Sequence, residues 1–327
     1  MGHNKITRGI SKEFGEAFKK CELYELYKKH EDELFIGIRN NYLNLYYNCD
    51  SIAKVEYKGN RKKIVCEIDK YYLDGNHNIS TSKEKRLKTV PHQINEQYEV
   101  IKKYSNKKSS DEKKAQSKLI LLNNNNKNSK WFCIDIEYVK QFHNKKEKEE
   151  ADFNGRFDII AISKNNPHRI ALIELKYGGG AIGGKSGIYK HIEDFKKFNE
   201  KKYFEHHLKQ EIIEIIESQI ELGISVPFDL PLEKNILTPD FYIITLNNTP
   251  NENGNTPKQT MAGYLFKNKQ WNCQKLSTKV CVETSFGNVT KKDNIIHTTF
   301  LFSIADLNKI EITDIIDGIY DEKIVPK

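Results

Sequence analysis

Residues Gly155 to Gly180 read GRFDIIAISKNNPHRIALIELKYGGG. Two short apolar runs, Phe157–Ile162 and Ile170–Tyr177, flank a turn at Lys164–His168, and the pattern predicts a β-hairpin. Side chains alternate faces along a strand, so residues two apart share one. Glu174 and Lys176 therefore project to one side of the second strand, and Ala171, Ile173 and Leu175 to the other. A carboxylate and an ammonium at a strand's end make poor core residues unless a ligand needs both. Asp158 begins the first strand, and the hairpin brings it beside Glu174. Two carboxylates held close repel one another, and a hard divalent cation relieves that repulsion. Without metal, such an acidic pair is expected to add little to stability.

Outward from this hairpin the chain alternates strand and helix. Upstream lies a strand over Trp131–Val139, preceded by helices over Gln93–Tyr104 and Asp111–Leu122, the second capped by Ser110. Downstream, a Gly-rich loop leads into a helix from about Gly187 to Asn199. A second helix runs from Tyr203 to Leu222 and stops at Gly223, and a strand follows at Phe241–Leu246. Further strands are expected at Met261–Phe266 and Thr298–Phe302. Towards the N-terminus, Ser11–Glu33 reads as one helix. Leu34–Ile38, Tyr42–Tyr47, Ile52–Tyr57 and Ile64–Ile68 read as a small antiparallel meander, and polar Asp74–Thr89 as a linker. The fold class is α/β: a central mixed sheet flanked by helices, with a small β-rich N-terminal module. The expected division is 1–88 for that module and 89–327 for the remainder.

The chemistry follows from the residue types. Asp158 and Glu174 offer oxygen ligands to Mg²⁺ or Mn²⁺, which would polarise a phosphate oxygen and lower the pKa of a bound water. Lys176 would position or deprotonate that water and offset charge on the phosphate in the transition state. Hydrolysis of a phosphodiester suits these parts.

Asp158, a gap, and Glu174-x-Lys176 on neighbouring strands resemble the motif of the PD-(D/E)XK nuclease superfamily, whose members have a restriction-endonuclease-like core. The resemblance covers roughly Trp131 to Leu246, about a third of the chain. The family order of helix, three-strand meander, helix and strand fits Asp111–Leu122, the three central strands, Gly187–Asn199 and Phe241–Leu246. Phe157 stands where the motif has its first residue, a variation that the family tolerates. The resemblance implies a metal-dependent endonuclease acting on nucleic acid, by the family's habit double-stranded DNA, with RNA left open by the residues themselves, and a role in restriction or phage defence. Many members use a further acidic residue on the core helix or the first strand. Glu137 and Asp135, on one face of Trp131–Val139, and Glu112, on the preceding helix, are the candidates; a solvated edge-strand face is the plainer account of each. In several branches polar residues on the following helix also reach the site, which points to His191 and Lys190. Lys190 and Asp194 equally fit an ordinary i,i+4 surface pair. Ile188, Ile192 and Phe195 mark that helix's apolar face. Arg156 reads as a surface residue.

A second motif lies on the same strand. Gly179 to Ser186 reads GGAIGGKS and matches the P-loop pattern between strand and helix. A nucleotide hydrolase is therefore the rival reading. Against it, a P-loop strand is usually wholly apolar, and no apolar strand followed by Asp occurs downstream. In the nuclease reading Gly184, Lys185 and Ser186, ahead of a helix N-terminus, would hold a backbone phosphate. A third reading, a degenerate nuclease fold that only binds nucleic acid, sits badly with an intact Asp158, Glu174 and Lys176.

Composition adds little. The chain has 327 residues, 30% of them charged, and a net charge of +8. That excess is compatible with a polyanionic partner. It comes from lysine; arginine occurs only at positions 8, 39, 61, 86, 156 and 169, and a lysine-, asparagine- and isoleucine-rich mix is also what an AT-rich genome encodes. The six cysteines are scattered with no C-x-x-C pair, which favours reduced thiols in a cytoplasmic setting. No run of about 18 apolar residues occurs, so no membrane span is expected.

Overall fold

In a computed structural model the chain is mixed α/β, and the structure describes residues 8–75, 86–140, 142, 145–153, 155–177, 188–232 and 235–246, with short pieces at 272–273, 282–284, 287–288, 296–301 and 312. It divides into two compact units, Met1–Ser117 with Lys209–Glu233, and Lys118–Leu208 with Lys234–Lys327. This differs from the expected division at 88/89. No helix among the described residues is long and apolar enough to cross a membrane.

The first unit opens with α1 (Lys12–Lys19) and α2 (Glu22–Lys29) rather than one helix. At 3.6 residues per turn, Leu23 would stand about 180° around a continuous helix from Phe14. Breaking the helix at Lys20–Cys21 lets Phe14, Phe18, Leu23 and Leu26 all be buried. Ser11 caps α1, its hydroxyl accepting from the Phe14 N–H at 3.2 Å. The meander follows as β1 (Leu34–Ile38), β2 (Tyr42–Tyr47), β3 (Asp50–Lys58) and β4 (Lys63–Asp69), all antiparallel neighbours. A single turn, α3 (Tyr71–Asp74), comes next.

The expected linker ends in a fifth strand, β5 (Arg86–Thr89), paired with β4 from Cys66↔Thr89 to Asp69↔Arg86. The sheet therefore extends past residue 88. Helices α4 (Pro91–Glu96) and α5 (Tyr98–Lys108) bury Ile94, Tyr98 and Ile101 in this unit. The Tyr98 hydroxyl and the Lys102 ammonium both donate to Glu33, at 3.0 and 2.8 Å. Helix α9 (Lys209–Glu221) belongs here too. Its apolar side, Ile212, Ile213, Ile215 and Ile216, is buried, and the N–H groups of Arg8 and Ile10 donate to Glu214 and Ser218. Helix α6 (Asp111–Asn125) begins in the first unit and ends in the second.

The second unit is built on β6 (Trp131–Val139), a short helix α7 (Lys145–Ala151), β7 (Arg156–Ser163), β8 (Ile170–Tyr177), α8 (Ile188–Glu200) and β9 (Asp240–Leu246). Three short strands, β10 (Asn272–Cys273), β11 (Val282–Thr284) and β12 (Gly287–Asn288), pair with one another, and β13 (Ile296–Leu301) joins the main sheet. The main sheet runs β13-β9-β8-β7-β6. β6, β7 and β8 form an antiparallel meander, and β9 and β13 add in parallel. β8 is thus the central strand, and Ile170 through Ile173, with Leu175, are fully buried. Its start is pinned by Arg169, whose Nη2 donates to Asp240 Oδ2 and to the Tyr242 hydroxyl, at 3.1 and 3.0 Å. Between α9 and α8, the expected helix start at Tyr203 is a π-helical turn over Phe204–Leu208. The strand expected at Met261–Phe266 lies outside the described residues.

Candidate functional site

The β7–β8 ladder runs from Ile162↔Ile170 to Ile159↔Ile173. The regular pairing stops there, one step short of Asp158 and Glu174. The Asp158 carboxylate takes over: its Oδ2 accepts from the Leu175 N–H at 2.7 Å. Leu175 is the residue between Glu174 and Lys176, so Asp158 is tied to the middle of the Glu-Leu-Lys segment. The hairpin thus holds the Asp158 carboxylate against the backbone between Glu174 and Lys176.

Glu174 and Lys176 are 3% and 8% exposed. The Lys176 ammonium donates to Glu174 Oε1 at 2.5 Å. α8 lies on this face of the sheet. Phe195 is buried and stacks on Phe241 with ring centroids 4.8 Å apart, and Phe241 is the register partner of Leu172, which shares Glu174's face. One turn earlier on α8, His191 Nε2 lies 3.0 Å from the same Glu174 Oε1. One carboxylate oxygen therefore meets both an ammonium and an imidazole in a nearly dry setting. That modifies the expectation about stability, because Glu174 is the counter-charge of a buried lysine and not only one half of a repelling pair.

The additional acidic candidates fall differently. Asp135 is fully buried, not on a solvated edge. The ladder pairs it with Ile160, itself paired with Leu172, which places Asp135 on Glu174's face of the sheet. Its Oδ1 accepts from the adjacent Ile136 N–H at 2.9 Å. Glu137 stands between the pairs Ile136↔Ile159 and Tyr138↔Phe157, across from Asp158. It is half-buried, with a backbone φ of 49°. A left-handed conformation inside a strand costs a non-glycine residue about 1–3 kcal/mol and holds only where the surroundings fix it. The bulge between Cys133 and Asp135 precedes both acids, and the register runs unbroken from Asp135 to Tyr138. Glu112 belongs to the first unit, in the first turn of α6.

Lys190 is engaged by Asp194 at 3.1 Å and Glu193 at 3.3 Å. Its hydrogen bond to Asp194 and the charges of both acids hold its pKa above the ordinary lysine value. That is the surface pairing weighed in the sequence. Arg156 is exposed. Gly184, Lys185 and Ser186, and with them the whole P-loop-like stretch 179–186, lie outside the described residues.

A cation at this place would rest on the Asp158–Glu174 pair. Among the described residues no three His, Cys, Asp or Glu side chains converge as a metal cage. Mg²⁺ is commonly bound by one or two carboxylates, with water and substrate oxygens completing its shell. The donor set, hard oxygens with no thiolate, fits Mg²⁺ or Mn²⁺. Burial pushes the Cys66 thiol up to about 12 and raises that of Cys133, so neither is a ready nucleophile. The Leu175 N–H as Asp158's partner has no signal in side-chain patterning; His191 had one, its position one turn into the helix after the loop.

No family model, no curated protein and no solved structure matches this chain.

Proposed function

We propose that the chain is a metal-dependent nuclease of the PD-(D/E)XK type, hydrolysing phosphodiester bonds in DNA. The observation that carries the reading is the burial of Glu174 and Lys176 on the central strand, with Asp158 bonded to the residue between them. Burying a carboxylate and an ammonium is costly, and an apolar pair of the same volume is often as stable or more so. Their presence in an otherwise apolar strand is what a reaction would require.

Asp158 and Glu174 would hold Mg²⁺ or Mn²⁺. When bound, the ion supplies Lewis acidity and a water of lowered pKa. Lys176 places a positive charge where the scissile phosphate gathers negative charge, and can hold the attacking water. His191, on Glu174 Oε1, fixes the orientation of that carboxylate. The apolar walls of β8 and α8 limit bulk water around these groups, which strengthens each charge interaction.

The test is cleavage of plasmid and linear DNA by purified protein with Mg²⁺ or Mn²⁺, with EDTA as the stop. Metal binding is followed separately by calorimetry. Nuclease activity that survives EDTA, or that survives in Asp158→Ala and Glu174→Ala, overturns the proposal. ATP hydrolysis lost in Lys185→Ala would put the P-loop reading in its place.

A further inference from the structure

The first unit carries a second feature that the reading above does not use. Its sheet has one apolar face and one charged face. The apolar face, with Leu43, Val55, Cys66 and Ile68, is buried, and Phe14 of α1 packs there against Tyr57 at a centroid distance of 6.1 Å. The charged face follows from the register. Lys58 pairs with Lys63, Glu56 with Val65, and Glu67 with Lys88. Opposed residues share a face, so two lysines are held side by side at the β3–β4 end, an arrangement that is unfavourable by itself.

A cavity of about 640 Å³ opens on this face, lined among others by Lys58, Arg61, Lys63 and Lys88 and by Glu56 and Glu67. Both acids are already matched. Glu56 receives Lys54 at 2.5 Å and Lys58 at 2.6 Å, and Glu67 has Arg86 at 3.7 Å. Arg61, Lys63 and Lys88 are exposed and form no ion pair among the described residues. The cavity therefore keeps an uncompensated positive charge. Lys62, exposed beside it, adds to that charge.

We propose that this cavity and its rim are a docking surface for the phosphate backbone of nucleic acid. A single phosphate would leave most of the cavity empty. Lys63 and Glu67 are four residues apart on one strand, roughly 13 Å, and Lys88 stands beside Glu67. Cations spread over such a distance suit a chain of regularly spaced phosphates. The lining has no aromatic or leucine side chain to enter a bilayer, which disfavours a membrane. Three of the four lining cations are lysines, point charges suited to contact without base readout. The proposal rests on the first unit alone and does not need the Asp158–Glu174 site to be a nuclease.

The experiment uses the full chain in EDTA, so that cleavage plays no part. Binding of a short labelled DNA duplex is followed by fluorescence anisotropy over a range of salt. The variant is Arg61→Gln/Lys63→Gln/Lys88→Gln. Its match in charge is Lys12→Gln/Lys20→Gln/Lys29→Gln, on exposed positions of α1 and α2 and the residue after α1. Circular dichroism checks that both fold. Losing three phosphate contacts should lower the slope of log K against log salt by about 2–3, with an affinity loss of about tenfold or more at low salt. The charge-matched variant should keep the wild-type slope. Equal losses in both variants, no loss in either, no DNA binding by the wild type, or displacement of DNA by polyglutamate or anionic vesicles at equal charge would each overturn the proposal. A chain that binds DNA through this face but never cleaves it would sink only the nuclease reading.

Discussion

Asp50 in the first unit and Glu174 in the second are 6% and 3% exposed. Asp50 accepts from the Ser105 and Ser109 hydroxyls, supplied by α5 and the residue that ends it, and from Lys113, whose side chain is 37% exposed. Glu174 accepts from Lys176, which is itself buried, and faces His191 across 3.0 Å. Asp50 is solvated by neutral hydroxyls and by one cation that can swing out to water. It fastens a helix to a sheet. Glu174 is surrounded by groups that carry or exchange protons and cannot retreat. Similar burial thus comes in two settings: hydroxyls fix a structure, whereas a dry set of carboxylate, ammonium and imidazole is costly for structure and, in the reading proposed above, would serve chemistry.

The largest expected effect is on activity. Asp158→Ala and Glu174→Ala should each reduce Mg²⁺-dependent DNA cleavage more than about 100-fold, since even the outer partners of metal ligands are worth 10–100-fold. Lys176→Ala should do nearly the same while calorimetry still finds the metal. Asp50→Ala should cleave at the wild-type rate if it stays folded. A cleavage defect in Asp50→Ala as deep as in Glu174→Ala, with both folded, would erase the distinction between the two carboxylates.

Stability sharpens the same comparison. Glu174→Ala strands the Lys176 ammonium in a buried position, and chemical denaturation should show a loss of about 3–5 kcal/mol. Asp50→Ala should cost less, about 1–3 kcal/mol, because Lys113 reaches solvent and the serines can bond elsewhere. Replacing both charges, Glu174→Leu with Lys176→Met, should recover the loss or raise stability by about 1–4 kcal/mol above the wild type while leaving no activity. A double variant less stable than Glu174→Ala would mean that the pair holds the sheet together.

These contrasts were only partly legible in the sequence. The alternation of β8 put Glu174 and Lys176 on one face, where they meet, and the turn before it put Asp158 on the neighbouring strand, because register in a short hairpin is a local property. The strands of the N-terminal meander were legible for the same reason. What periodicity could not show was long-range packing. The isoleucines of α9 announce a buried face, yet nothing local says that it is buried in the first unit, some hundred residues from α5 in sequence. The left-handed φ of Glu137 was equally hidden, since that backbone state is rare outside glycine. Asp158 bonding a backbone N–H was hidden too, because side-chain patterns carry no record of main-chain donors. The polar run before β5 reads as a linker because its strand is only four residues long and mostly exposed.

The smallest expected effect concerns Glu56, an acid that is paired at the surface and not buried. Hydrogen bonds from Lys54, then from Lys58, hold its pKa below the ordinary value of 4.5. A carboxylate with a depressed folded pKa contributes stability that is fully present above its unfolded pKa and is lost as the pH falls through the folded one. The wild type should therefore exceed Glu56→Gln in stability by a constant amount above pH 4.5. The gap should close on acidification below that value. An exposed pair is worth at most about 1 kcal/mol, so the gap should be small, and added salt should shrink it. The same substitution frees Lys54 and Lys58 from their counter-charge. At neutral pH Glu56→Gln should bind DNA more tightly, with a steeper dependence on salt. A Glu56→Gln variant that shows the expected stability gap but unchanged DNA binding would separate the two roles of this face: its ion pairs would be ordinary surface pairs, and the lysines beside the cavity would not touch phosphate.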